Sequence, residues 1–144
     1  MKIPGLRSPH DMVGGLVCFG RMLDKIRLHA QGKLPEDYHK NLGTGFDGRC
    51  CAFLRVKYDD VVTRMKSGGE DKDILEWCFA NGCKPSDEEI DIWNQYMRKR
   101  GWRDDASNRL ADRKKEYGIA HRDDVQCFFD LIDIDEGHEP HTRF

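Results

Sequence analysis

Helix-start and helix-stop signals recur along the whole sequence, and their close spacing is what most constrains the fold. Ser86 and Glu89 have the spacing of a capping box, in which each side chain accepts a hydrogen bond from the other residue's backbone N–H. The stretch 98–101, three cations and a glycine, is typical of a helix end. Similar signals divide the rest of the chain, and strand-like alternation does not recur. The sequence therefore predicts an all-α domain of six to eight short helices, different from a simple four-helix bundle.

Capping residues and apolar spacing set the predicted bounds of the individual helices. A loop with one helical turn after Pro35 is predicted for 34–48, and the polar tail from about residue 138 is expected to be mobile. Apolar residues at helical spacing between Val125 and Ile132 indicate a buried stripe on the last helix. The predicted helices after the loop are 47–56, 59–67, 70–81, 86–100, 104–117 and a last one from Asp123.

Residues 9–31 admit two interpretations. Ser8 and Pro9 suit a helix start, and apolar residues then recur at alternating steps of four and three: Met12, Leu16, Phe19, Leu23, Ile26 and Ala30. One continuous helix would have to contain three glycines: Gly14, Gly15 and Gly20. Each glycine costs about 1 kcal/mol relative to alanine inside a helix. The alternative is a short first helix, a bend near the first two glycines and a second helix over about 20–31.

Length and charge bound the classes of function. A chain of 144 residues suits one domain, over 1–144, with one hydrophobic core. The formal net charge of −2 gives no reason to expect a nucleic-acid or membrane partner. No apolar run approaches the roughly 20 residues of a membrane span, and the first residues lack the apolar run of a secretory signal. The protein is therefore expected to be soluble and cytoplasmic, with its six cysteines reduced.

The cysteines fit a metal site poorly. Cys50 and Cys51 are adjacent, and four residues separate Cys78 from Cys83, whereas structural zinc sites use two close pairs of ligands. Cys78 also falls on an apolar helical face, where a thiol behaves as a small hydrophobic group. No local signature identifies a nucleophilic cysteine acting with a histidine. We therefore expect no metal and no cofactor.

An acidic group near the end of the chain offers oxygen ligands for Ca²⁺ or Mg²⁺: Asp130, Asp133, Asp135 and Glu136. Its spacing does not match a calcium-binding loop, because the glycine is misplaced and no bidentate glutamate follows. Acidic residues are unfavourable at the negative end of a helix dipole. This misfit indicates a compensating partner nearby, such as an arginine or a metal ion. The alternative is a solvated acidic end of the last helix.

The segment Arg98–Lys115 carries eight cations and three anions, with Trp102 inside it. A patch of this charge can contact phosphate backbones. Cations are also ordinary at helix ends, and the chain as a whole is slightly acidic. These two facts favour a solvated helix face, so we do not expect a nucleic-acid partner.

Charged residues on the helix predicted before residue 31 form two rows. Arg21, Asp24 and Arg27 follow at three-residue steps, so their side chains can meet on one surface. Lys25 and His29 continue a second row from Arg21 at four-residue steps. These rows indicate either an anion-binding face or a buried ion network. The alternative is an exposed amphipathic helix, whose pairs contribute only tenths of a kcal/mol.

Short stretches in a fixed order span nearly the whole chain: 6–9, 14–17, 21–27, 93–95, 98–101, 129–133 and 135–137. In these stretches the sequence resembles the bacterial domain-of-unknown-function family DUF5069. The family has proline where this chain has Gly20, and proline suits the first turn of a helix. The resemblance therefore implies that a new helix starts there, as in the second interpretation of residues 9–31.

The resemblance implies no activity, cofactor or catalytic residue, but it directs attention to the charged members of these stretches. These are the candidate ligand-binding residues: Arg21, Asp24, Lys25, Arg27, Asp133, Asp135 and Glu136. We hypothesise that the group on 21–27 and the group on 133–136 converge in space. The result would be either one site or one structural ion network.

Two hypotheses for function follow. The first is a non-enzymatic binding or regulatory module whose partner is a protein or a small anionic ligand, since no recognised nucleophile, phosphate loop or metal motif occurs. The alternative is an enzyme that uses a charged site of Arg21, Asp24, Arg27 and Asp135. The enzyme requires these side chains to line a concave pocket.

Overall fold

Seven α-helices and one 3₁₀ helix make up the part of the chain that the structure, a computed structural model, describes. That part is residues 1–138, so most of the tail predicted to be mobile lies outside the described residues. The predicted all-α class is confirmed, since residues 1–138 contain no strand. The elements are α1 Phe19–Ala30, a 3₁₀ helix Glu36–Asn41, α2 Gly45–Leu54, α3 Tyr58–Met65, α4 Asp71–Asn81, α5 Asp87–Lys99, α6 Ser107–Glu116 and α7 Phe128–Asp135.

The interpretation of residues 9–31 as one continuous helix is wrong, because residues 9–18 form turns and α1 begins at Phe19. Gly14 and Gly15 have φ angles of +58° and +82°, in the left-handed region that favours glycine. A Cβ atom on Gly14 would lie 2.3 Å from Cδ2 of Leu75, so the bend also needs glycine to approach α4 closely. The two-segment interpretation is nearer, although only its second segment is helical.

The starts of the last two helices differ from the prediction for local reasons. α7 begins at Phe128, five residues after the predicted Asp123. The carboxylate of Asp124 pairs with Arg122 at 2.6 Å, so it is engaged within the turn that precedes the helix. α6 begins at Ser107, since Asp104 instead accepts hydrogen bonds from two backbone N–H groups of the preceding turn.

α1 is buried on nearly all sides. Its apolar side chains, among them Phe19, Met22 and Leu23, lie in the main core with residues of α2, α3, α4, α5 and α7. A smaller cluster formed with the N-terminal segment covers Leu28. The charged members Arg21, Asp24 and Lys25 are buried as well. Buried charges are stable only with partners, so α1 places three charged side chains where the surrounding elements must supply opposite charge.

No helix within residues 1–138 combines the length and the apolar character needed to cross a membrane.

The predicted capping box at the start of α5 is present, and it gives the first testable prediction. Ser86 Oγ accepts a hydrogen bond from the N–H of Glu89 at 3.2 Å, and Glu89 Oε1 accepts one from the N–H of Ser86 at 2.9 Å. Ser86→Ala is expected to lower the free energy of unfolding by about 1 kcal/mol, since it removes the N-cap acceptor. Urea denaturation measures the change, with the exposed Ser67→Ala as control. Equal effects of the two changes would contradict the cap.

Candidate functional site

Arg21 in α1 and Glu136 just beyond α7 form a buried, bidentate ion pair. Nη1–Oε1 and Nη2–Oε2 are both 2.6 Å, and the two side chains are 9% and 3% exposed. Tyr38 donates its hydroxyl to Glu136 Oε2 at 2.8 Å. Burial alone would lower the pKa of Arg21, but the hydrogen bonds and charge of Glu136 raise it above its ordinary value. The two predicted charged groups therefore meet at this pair.

Asp24 and Arg27 lie in a different cluster, which we call the four-residue ion network: Arg7, Asp24, Arg27 and Asp71. Arg7 binds Asp24 through Nε at 2.8 Å and through Nη2 at 3.0 Å. Asp71, at the start of α4, contacts Arg7 at 2.8 Å and Arg27 at 2.5 Å. The network joins the N-terminal segment and α4 to one face of α1.

The other candidate residues have separate surroundings. Lys25 pairs with the buried Asp47 of α2 at 2.8 Å. Asp133 is fully buried and accepts from Ser8 Oγ at 2.7 Å, with His10 Nε2 at 3.8 Å. Asp135 is exposed. Partial burial and the charges of Glu136 and Asp37 raise its pKa, although the N-terminal ammonium group opposes this shift.

Asp71 gives a prediction for pH. Burial would raise its pKa, but hydrogen bonds from Arg27 and Arg7 lower it below the ordinary value of 3.8. A carboxyl whose pKa is depressed in the folded state contributes stability above pH 3.8, and that stability is lost as pH falls through the folded-state pKa. The free energy of unfolding of Asp71→Asn is therefore expected to fall less steeply below pH 3.8 than that of the unaltered protein.

The slope that Asp71 adds is at most about 1.4 kcal/mol per pH unit, the limit for one proton. Urea denaturation at a series of acidic pH values measures this slope. Asp112→Asn, on the exposed side of α6, is the matched control and should leave the slope unchanged. Parallel pH profiles for Asp71→Asn and the unaltered protein would contradict the assignment.

A cavity of about 550 Å³ opens beside the Arg21–Glu136 pair, and we call it the cationic cavity. Its walls come from α1, the 3₁₀ helix, α2, α6, α7 and Arg100 at the end of α5. Seven cationic side chains line it: Arg21, Lys25, Lys40, Arg49, Arg100, Arg109 and Arg113. Four acidic side chains do so too: Asp37, Asp47, Asp135 and Glu136. The lining has a formal charge of +3, whereas the whole chain has −2.

The seven cations of the cavity differ in whether they have an anionic partner. Arg100 pairs with Asp104 and Asp105, and Arg113 pairs with Glu116, all outside the lining. Arg21 and Lys25 are neutralised in the wall by Glu136 and Asp47, as described above. Three further cations form no ion pair within 4 Å in the described part of the chain: Lys40, Arg49 and Arg109. Arg49 instead contacts the hydroxyl of Tyr96 at 2.9 Å, and Arg109 lies over the ring of Phe128 at 5.4 Å. These side chains can accept an anion without first losing a carboxylate partner.

The sequence predicts a solvated face for the cations of α6, and Arg109 and Arg113 are exposed, but they also line the cavity. Arg109 and Arg113 are four residues apart, so they lie on the same side of α6, and that side lines the cavity. Lys114 points elsewhere and donates to the carbonyl groups of Arg122 and Val125. The four-residue spacing was the available signal, but only the packing of α6 shows which face the cavity uses.

The cysteines contribute to the core. Five of the six are buried, and all six are free thiols. Burial raises the pKa of Cys18 and Cys51 to about 12 and that of Cys78 to about 11, so these thiols stay protonated at neutral pH. Within residues 1–138 no three His, Cys, Asp or Glu side chains are grouped so that they could hold a metal ion.

Comparison with known proteins identifies the family. The family model described as "Domain of unknown function (DUF5069)" matches residues 3–138, nearly the whole chain, and the protein therefore belongs to this family. A search of curated proteins finds no match.

Proposed function

We propose that this member of the DUF5069 family is a non-enzymatic binding module that holds a small anionic ligand in the cationic cavity. One observation carries the proposal: a cavity of about 550 Å³ whose lining has an excess of cationic side chains, in a chain whose net charge is negative. Protein cavities that bind small molecules have volumes of roughly 300–1,000 Å³. A concave site with a net charge concentrates ligands of the opposite sign.

The arrangement of the cations supports a ligand as their counterion. Arg109 and Arg113 of α6 and Arg49 of α2 approach the cavity from different elements. Like charges brought together by folding repel one another, so the arrangement has an electrostatic cost that a bound anion would offset. Guanidinium groups also present paired N–H donors that match the oxygen atoms of carboxylates and phosphates.

The remaining hypotheses stay predictions. An enzyme that uses Arg21, Asp24, Arg27 and Asp135 would need all four at one pocket, and Asp24 and Arg27 do not line the cationic cavity. A protein partner is the other form of the binding hypothesis. We also propose that the protein acts in the bacterial cytoplasm. Its six free thiols support this location, because cysteines stay reduced there.

The proposed function is tested by adding small anions at low ionic strength and measuring the melting temperature. The panel contains inorganic phosphate, phenyl phosphate, benzoate and citrate. A ligand bound only by the folded state raises the free energy of unfolding by about 2.7 kcal/mol at a hundred times its Kd. We expect at least one anion to raise the melting temperature, and the double variant Arg109→Gln/Arg113→Gln to weaken its binding at least tenfold.

The matched control is Lys99→Gln/Lys115→Gln, which removes the same formal charge from exposed positions outside the cavity. It should reduce binding by less than about threefold, since these side chains do not line the cavity and exposed charges interact weakly through water. Equal losses in the two double variants would indicate non-specific attraction and contradict the proposal. So would a panel in which no anion stabilises the folded protein.

A further inference from the structure

We infer that the ligand of the cationic cavity is an organic phosphate ester. Its phosphate group is bound by the arginines, and its apolar body lies against the aromatic and aliphatic side chains of the lining. This inference rests on the proposed function and names the chemical class of the ligand. Three features of the cavity lead to it: the number of cations, a buried guanidinium Nε without a hydrogen-bond partner, and the apolar side chains of the lining.

The number of available cations exceeds what one carboxylate needs. Arg21 and Lys25 are paired within the wall and Arg100 is paired with Asp104 and Asp105, so four of the seven lining cations remain: Lys40, Arg49, Arg109 and Arg113. Two lining acids without an ion pair among the described residues, Asp37 and Asp135, offset part of this charge and leave an excess of two cations. The ion pair of Arg113 with Glu116 is a long one, at 3.8 Å, and both side chains are exposed to solvent. A carboxylate offers one negative charge and two oxygens, whereas a phosphate monoester carries about −1.5 to −2 at neutral pH and has three strong acceptor oxygens. The phosphate can therefore engage several of these groups at once.

Arg100 provides a second, independent observation. It lines the cavity with a side chain that is only 8% exposed. Its Nη1 donates to Asp104 at 3.3 Å and to Asp105 at 2.5 Å, but its Nε is buried without a hydrogen-bond partner among the described residues. An unsatisfied buried donor is unfavourable. Only a ligand oxygen that accepts from Nε itself would satisfy this donor, and a phosphate has several oxygens that can serve as the acceptor.

The uncharged part of the lining is largely apolar and aromatic. Its apolar and aromatic members are Phe46, Phe128, Leu131, Ile132 and the rings of Tyr38 and Tyr117. Inorganic phosphate has no apolar surface to place against these side chains, and it would leave most of the 550 Å³ to water. An ester with a hydrophobic or ring-containing body removes this apolar surface from water, which is favourable in proportion to the area buried.

The test is isothermal titration calorimetry of the whole protein with three probes: phenyl phosphate, benzoate and inorganic phosphate. Phenyl phosphate and benzoate share the ring and differ in the anion, whereas phenyl phosphate and inorganic phosphate share the anion and differ in the ring. We expect phenyl phosphate to bind at least tenfold more tightly than benzoate and severalfold more tightly than inorganic phosphate. Arg113→Gln should reduce the affinity for phenyl phosphate at least tenfold, while Lys115→Gln should change it less than about twofold.

The outcomes separate this inference from the proposed function. If benzoate binds as tightly as phenyl phosphate, the phosphate assignment is overturned and the anion-binding function stands. If inorganic phosphate binds as tightly as phenyl phosphate, the ester body is overturned. If none of the three probes binds to protein that is shown to be folded by circular dichroism, the phosphate ester is overturned, and if citrate does not bind either, the anion-binding function fails as well. Binding that is unchanged by Arg113→Gln would place the ligand outside the cationic cavity and would also overturn both.

Discussion

Arg21→Met is expected to lower the free energy of unfolding by about 3–5 kcal/mol, because it leaves the carboxylate of Glu136 buried without its cation. Glu136 is 3% exposed and accepts two hydrogen bonds of 2.6 Å from Arg21. The hydroxyl of Tyr38 would be its one remaining side-chain donor among the described residues. Urea denaturation followed by circular dichroism measures the loss. Glu136→Gln, which keeps the shape of the side chain and removes its charge, should also be destabilising, because it leaves Arg21 buried without an anion.

The double variant Arg21→Met/Glu136→Leu separates the pair from its surroundings. It should lose less stability than the two single variants together, since neither charge is left unpaired and apolar side chains fill similar space. The control is Asp124→Asn in the pair Arg122–Asp124, where Asp124 is half exposed, and it should cost far less than Arg21→Met because water screens the exposed pair. If Arg21→Met costs no more than Asp124→Asn, the buried pair does not hold α7 against α1.

Asp24→Ala is expected to lower the free energy of unfolding by about 2–3 kcal/mol. Asp24 accepts from the backbone N–H and the guanidinium of Arg7, and its loss leaves these donors and Arg27 without their shared carboxylate. The effect should be smaller than that of Arg21→Met, because Arg7 and Arg27 are about a third exposed and water can solvate them. Thermal and urea denaturation of Asp24→Ala measure the loss.

The matched control for Asp24→Ala is Asp112→Ala, an aspartate on the exposed side of α6, which should stay within about 0.5 kcal/mol of the unaltered protein. Asp24 does not line the cationic cavity, so its replacement should leave the affinity of the folded protein for anions unchanged. A stable Asp24→Ala protein that no longer binds any anion would contradict the structural role of the four-residue ion network. It would instead support Asp24 as a ligand-binding residue.

The helices could be predicted from sequence wherever local signals are complete. The capping box at Ser86 and the glycine after α5 act within a few residues, and the predicted helix is found there. The predicted start of α7 was wrong because Asp124 has a local ion-pair partner in Arg122. A sequence pattern does not distinguish a carboxylate that forms such a pair from one that caps a helix. The bend at Gly14 depends on its approach to Leu75, a contact between residues far apart in the chain.

The candidate site was predictable only in part. The spacing of Arg21, Asp24 and Arg27 identified a charged helix, and the acidic end of the chain indicated that a cation must lie nearby. Nothing in the sequence identifies the ion-pair partners of α1, which are Arg7, Asp47 and Asp71. Each is an ordinary charged residue until folding places it beside α1. The same is true of Arg49, whose position in the cavity depends on how α2 packs.

The sequence by itself determined the all-α class, the short helices and the unusual charge of α1, since these follow from propensity, capping and spacing within a few residues. Only the tertiary structure decided which charges neutralise one another and which do not. Glu136 reaches Arg21 and leaves Asp24 to Arg7, while Arg109 and Arg113 face a cavity that no single element forms. The physical reason is that electrostatic energy depends on distance and burial, and both are set by the packing of residues far apart in sequence.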